Sequence, residues 1–279
     1  MYVFVFNLYA AVNDLIPTDY ETPLANSTIM SLNYFNKELG TASLNKDQYV
    51  RQNTYALRLN HAFEINEKIL SLGLAIPYTN LSTHGDLLSK SIGDKSVGLS
   101  DTVFSATYWF VGDRKNKNFL GLTMTHYMKN GKYDESQLLN ISENRYITTL
   151  AIGYITKLSD SFLFELSPEI GFYSDNNKNN SVIEQKNSYA ITSNFRYKPS
   201  NKYELFIGFQ ENYLKDTVKN GIKQNDDHFY EKYSFGGAYY TDKFHQFMLR
   251  FATEANKEYG LEINNEPTAQ PPNLNNFNF

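Results

Sequence analysis

The stretch SDSFLFELSPEIGFY (Ser159–Tyr173) sets two carboxylates, Glu165 and Glu169, into a run otherwise built of rings and aliphatic side chains. Side chains alternate along a strand. Glu165, Ser167, Glu169 and Gly171 then share one face, and Phe162, Phe164, Leu166, Ile170 and Phe172 share the other. At about 3.3 Å per residue the two glutamates lie about 13 Å apart. Carboxylates that flank a scissile glycosidic bond stand about 5–9.5 Å apart, so these two are not one acid/base dyad. The run has a polar face bearing ions and an apolar face. Pro168 falls on the apolar face, and because proline lacks the N–H that a ladder uses, a bulge is expected there.

The same two faces recur along the chain, as period-two patterning requires of strands. Tyr55, Leu57, Leu59 and Phe63 alternate with Thr54, Ala56, Arg58, Asn60 and Ala62; Leu70, Leu72, Leu74, Ile76 and Tyr78 alternate with Ser71, Gly73, Ala75 and Pro77. Later segments around Leu122, Ile152, Phe195, Ile207, Phe235 and Leu249 repeat the partition. Thr102–Phe110 is apolar on both faces, which leaves its orientation open. Short polar links (INEK, GDRKNK, LSDS, PSN, TDK) take turns with long ones, such as Asn13–Lys46, Asn80–Val97, Lys129–Glu143, Asp175–Asn187 and Asp216–Asp227. Tight turns would then gather at one end of the sheet and long loops at the other.

Composition decides which face meets water. The chain of 279 residues carries 22 Tyr and 20 Phe at a mean hydropathy of -0.49, so it is rich in rings and short of aliphatic core for a soluble domain of this length. The polar face is mostly Gly, Ala, Ser, Thr and Asn with scattered ions, which suits a crowded barrel interior better than a solvated surface. Rings mark many strand ends on the apolar face, the pattern that two membrane interfaces select. The expected fold is therefore all-β: one domain over 1–279, a transmembrane up-and-down antiparallel β-barrel of about 12 strands with short periplasmic turns and long extracellular loops. Closure satisfies every backbone group in lipid. Tyr2–Val12 reads as the first strand rather than as a signal peptide, any such signal being absent. Residues 255–279 read as a loop plus a weak last strand, NLNNFNF.

Several chemistries are excluded or unsupported. A net charge of -4 argues against nucleic acid, no apolar run reaches the length of a membrane helix, and the absence of Cys removes disulfides and thiolate metal sites. His61, His84, His126, His228 and His245 lie in separate segments without metal-binding spacing. No phosphate loop or nucleophile elbow appears. Neither a metal nor a cofactor is expected.

Ordered motifs resemble a known family. YVFVFNLYA (Tyr2–Ala10), LAIPYTN (Leu74–Asn80), GLSD (Gly98–Asp101), NGKYD (Asn130–Asp134) and LLNISENRY, ending at Tyr146 and opening a strand, are similar to the outer-membrane proteins named for the putative MetA-pathway of phenol degradation. Ser100 replaces the usual Gly, Met128 stands where Pro is common, and the proline-glycine lead-in before the first strand is absent. The resemblance implies a porin-like Gram-negative barrel that takes hydrophobic or aromatic compounds across the outer membrane.

The expected function is thus a channel or transporter for passive uptake of small hydrophobic or aromatic solutes, not an enzyme, with outer-membrane lipids and the solute as partners. An outer-membrane lipid or ester hydrolase and a structural or adhesive barrel are the alternatives, ahead of a soluble barrel. The expected lumen lining, by parity, is Arg58, Glu165, Glu169, Arg196, Glu204, Gln210, Lys232, Arg250 and Glu254, with ions of both signs pairing across strands. Because that lining is polar, an apolar solute would need rings such as Tyr108 and Trp109, or a lateral exit.

Overall fold

The computed structural model describes residues 17, 19–40, 49–178, 181–241 and 246–257. Its elements are β1 (Thr28–Gly40), β2 (Tyr49–Ile65), β3 (Lys68–His84), α1 (Asp86–Ile92), β4 (Lys95–Leu99), β5 (Val103–Asp113), β6 (Asn118–Tyr127), β7 (Ile147–Lys157), β8 (Phe162–Tyr173), β9 (Asn176–Lys178), β10 (Ser181–Gln185), β11 (Ser188–Tyr197), β12 (Tyr203–Leu214), β13 (Thr217–Lys219), β14 (Ile222–Lys223), β15 (His228–Tyr240) and β16 (Gln246–Lys257).

Eleven long strands form one antiparallel meander in the order β1-β2-β3-β5-β6-β7-β8-β11-β12-β15-β16. The shortest of them, β6 and β11, have 10 residues, enough for a tilted strand to cross the roughly 30 Å hydrocarbon layer of a membrane. The sheet curls as the wall of a β-barrel. Tyr2–Val12 and NLNNFNF lie outside the described residues.

Polarity is inverted relative to a soluble protein. Leu32 is 78% exposed and Leu249 63% on the outer face, whereas Arg196 is 0% and Glu204 1% exposed on the inner face. Cross-strand ring pairs stiffen the outer wall, among them Phe162 with Tyr197 and Phe235 with Phe251.

Turn chemistry sets the two rims. The β2–β3 link is a two-residue hairpin in which Asn66 and Glu67 both have positive φ, 49° and 62°, the turn whose twist matches that of the flanking strands. The long loops carry structure of their own. β9, β10, β13 and β14 form a separate four-stranded sheet beyond the wall, where the sequence suggests plain connections.

Two expectations need correction. Asn13–Lys46 is not one loop, because Thr28–Gly40 is a wall strand paired with β2 from Thr28↔His61 to Gly40↔Tyr49. Pro168 makes no bulge: β8 keeps its register with β11 through Ile191↔Pro168, and its β7 register is the same on both sides of that point. An exposed outward proline costs the ladder a donor without forcing an extra residue in. The wall bulges instead at Phe110, between Trp109↔Gly121 and Val111↔Leu120. There Trp109 turns inward and Phe110 outward, which settles the orientation of this doubly apolar segment. LLNISENRY leads directly into a strand, since β7 begins at Ile147.

Candidate functional site

The inner face is the surface able to carry a solute. Three of its nine expected lining residues come together. Arg196 on β11 reaches Glu165 on β8 (Nη1 to Oε1, 2.5 Å) and grips Glu204 on β12 with two donors, Nε to Oε1 at 2.6 Å and Nη2 to Oε2 at 2.9 Å. Asn194 donates to the second oxygen of Glu165 at 3.2 Å, and Tyr240 Oη to Glu204 Oε2 at 2.9 Å. Burial of so many charges is tolerated because nearly every lone pair and donor is matched.

A third acid completes the cluster from outside the wall strands. Glu21 Oε1 lies 2.7 Å from Arg196 Nη2, and its second oxygen is 3.9 Å from Lys117 in the β5–β6 turn. Glu21 belongs to the segment that precedes β1, which enters from the short-turn rim and lies across the inner face. Tyr20 packs with Trp109, Phe119, Ala151 and Ile155, its carbonyl accepts from Trp109 Nε1 at 2.9 Å, and its hydroxyl accepts from Ser167 Oγ at 3.2 Å. Arg114 Nη2 donates to Thr22 O at 2.6 Å. Gly153 makes room for this segment: a Cβ there would overlap the Tyr20 ring. The segment is thus held against the inner face at the short-turn end.

The remaining expected residues are dispersed. Glu169 accepts from Thr149 Oγ1 at 3.3 Å, two inner-face positions along β8 from Glu165. Gln210 donates to Asn212 Oδ1 at 3.0 Å and faces the buried Lys232 in register. Lys232 in turn stands opposite Glu254, and Arg250 opposite Gly236. Arg58 is half-buried on β2, beside Ser31 and Ala75 in register. Of the two suggested rings, Trp109 is buried on the inner face, where it holds Tyr20, and Tyr108 sits edge-on against Phe110 on the outer face.

The opposite rim is built differently. The connection between β6 and β7 folds back over the inner face, where Leu139 and Ile141 pack with Ile92 of α1 and with the inward-facing Val50 and Leu81. Asp101 anchors it: the carboxylate accepts from Gly131 N at 2.9 Å, from Ser142 Oγ at 2.7 and 2.9 Å, and from Glu143 N at 3.3 Å. Asp101 is placed by the break between β4 and β5, both of which pair with β3, where Ser100 N donates to Pro77 O at 2.9 Å. Glu143 lies 3.6 Å from the buried Arg145 Nε, yet burial pushes its carboxyl up to about 7, with Asp101 adding to the rise. Burial also raises Asp101 itself.

Sequence reasoning misses Tyr20, Glu21, Asp101, Leu139 and Ile141. Nothing local marks the first two, since their contacts with Arg196 and Trp109 are long-range. The other three lie inside quoted motifs, so a signal existed without a role attached.

The family model described as Putative MetA-pathway of phenol degradation matches residues 34–265. Among solved structures, the COG4313 outer membrane channel from Pseudomonas putida F1 is similar at a TM-score of 0.80 and 21% identity, covering 87% of this chain and 93% of that one. The CymD monoaromatic hydrocarbon channel aligns at a TM-score of 0.48 and 13% identity, over 85% and 76% of the two chains. No curated protein matches this chain.

Proposed function

The chain belongs to the family of the putative MetA-pathway of phenol degradation, and on that premise we propose that it is an outer-membrane channel for passive uptake of small hydrophobic or aromatic compounds. The observation that carries this reading is the inverted wall: an apolar outer face around an inner face whose charges are paired rather than hydrated. The lumen-lining role of Arg58, Glu165, Glu169, Arg196, Glu204, Gln210, Lys232, Arg250 and Glu254 is part of the proposal. So is the resting state, in which the segment around Tyr20 and Glu21 closes the short-turn end through Arg196.

In this mechanism the wall keeps its ladder while the plug moves. Releasing Glu21 from Arg196 leaves Glu165 and Glu204 still bonded to the guanidinium, so the cost of opening is one charged contact plus the Tyr20 packing. The hydrolase alternative finds little support in the histidines: His126 Nδ1 pairs with Thr148 Oγ1 at 2.9 Å and stacks on Tyr146 at the outer face, an arrangement suited to the membrane interface.

Planar-bilayer current tests the reading. Wild-type protein is expected to conduct rarely and in small steps, whereas Glu21→Gln and Arg196→Gln conduct in larger and longer ones. Absence of current from all three proteins, each correctly inserted, would mark a structural barrel.

A further inference from the structure

The three motifs GLSD, NGKYD and LLNISENRY converge on one place, and it is not the charged cluster. Asp101 of the first accepts from Gly131 of the second and from Ser142 and Glu143 of the third. Further bonds repeat the link: Lys132 N donates to Leu99 O at 2.8 Å, Ser142 N to Lys132 O at 3.1 Å, and Thr102 N to Asn130 Oδ1 at 2.9 Å. What this stitching presents to the inner face is apolar, Leu139 and Ile141. They meet Val50 on β2 and Leu81 on β3, which stand four and three wall strands away from β7 in the order β2-β3-β5-β6-β7, about 19 Å and about 14 Å along the wall. The connection therefore spans part of the mouth as a chord rather than lying along its edge.

Gly131 shows how closely the parts fit. A Cβ on it would stand 2.7 Å from Asp101 N and from Ser100 C, which are backbone atoms that cannot swing away. Val50, Leu81, Leu139 and Ile141 are each no more than 3% exposed, so the contact excludes water. A dry, apolar constriction passes a solute that needs no hydration and resists one that must shed it. The charged seal at the other rim has no such preference.

We infer that Val50, Leu81, Ile92, Leu139 and Ile141 form the selectivity element of the channel, an apolar constriction at the long-loop rim that admits apolar solutes and holds back ions and sugars, with Asp101 as its positioning residue. The inference rests on the channel reading and adds to it the side of entry and the basis of choice. The segment around Glu21 sets how often the pore is open; the apolar contact sets what enters.

The test uses Glu21→Gln protein, in which the short-turn seal is loosened, reconstituted in liposomes and planar bilayers. Adding Leu139→Ser and Ile141→Ser is expected to raise ion current about tenfold and to lower the toluene-to-glucose uptake ratio by at least fivefold. Unchanged current and ratio, with toluene uptake still measurable, would overturn the inference while leaving the channel reading intact. Failure of every variant to take up toluene would instead remove the channel reading. Because the chain has no Cys, a second arm is independent of those serines: Val50→Cys with Ile141→Cys, bridged by a short thiol-reactive linker. Bridging is expected to cut toluene uptake at least fivefold, and full uptake after bridging would show that solute bypasses the constriction.

Discussion

The two rims are held together by opposite physics. At the short-turn rim a buried guanidinium holds three carboxylates, Glu21, Glu165 and Glu204; at the long-loop rim aliphatic side chains meet in a dry contact with the Asp101 carboxylate set behind them. The charged seal is directional and fails if one partner is lost, because the others are left buried and uncompensated. An apolar seal yields gradually, in proportion to the surface removed. One barrel can thus separate opening from choosing.

The charged rim should break hardest. Arg196→Gln leaves three acids without their cation and is expected to cost about 3–5 kcal/mol, read as a lower heat-unfolding temperature of the barrel band on gels. Glu21→Gln, which removes only the partner outside the wall strands, should leave that temperature nearly unchanged. Equal losses would mean that the plug is part of the wall.

Gly153→Val should come next. Its side chain would occupy the space of the Tyr20 ring, so the plug is displaced with the Arg196–Glu165–Glu204 set intact, and open probability in bilayers is expected to rise severalfold. Asp101→Asn follows at the other rim. It keeps the shape and weakens charge-assisted bonds, and is expected to raise ion leak about two- to threefold. Its effect should disappear when Leu139→Ser and Ile141→Ser are already present.

The smallest effect is that of pH. Glu143 sits beside Asp101, Arg145 and the region of Tyr127, and burial raises its carboxyl from 4.5 to about 7. A raised acid binds its proton more tightly in the closed loop than in the open one, so its contribution to closure is full below about 4.5 and fades as pH rises through about 7. Ion leak should therefore increase from pH 5 to pH 8, and Glu143→Gln should flatten that step.

Legibility in the sequence followed the range of the interactions. The alternation in Ser159–Tyr173 placed Glu165 inward and Phe162 outward correctly, since a strand's parity is local. β1 escaped notice because TIMSLNYFNKELG has large residues on both faces, Ile29 and Phe35 on one and Met30, Leu32 and Tyr34 on the other. The partners of Arg196 on neighbouring strands follow from register, but Glu21 is joined to it across the barrel, where pattern carries no information. Leu139 and Ile141 fell inside the long connection Lys129–Glu143 and had no role there, because only the Asp101 anchor, a long-range contact, sets them against Val50 and Leu81. Trp109 needed the bulge at Phe110 before its face was determined.

The account is tested most directly by uptake into liposomes of phenol, toluene and small sugars, measured side by side with purified wild-type protein. It predicts that phenol and toluene enter faster than into protein-free liposomes while sugars do not. Sugars entering as readily as toluene, or protein that stays monodisperse without detergent and inserts into no membrane, would contradict it.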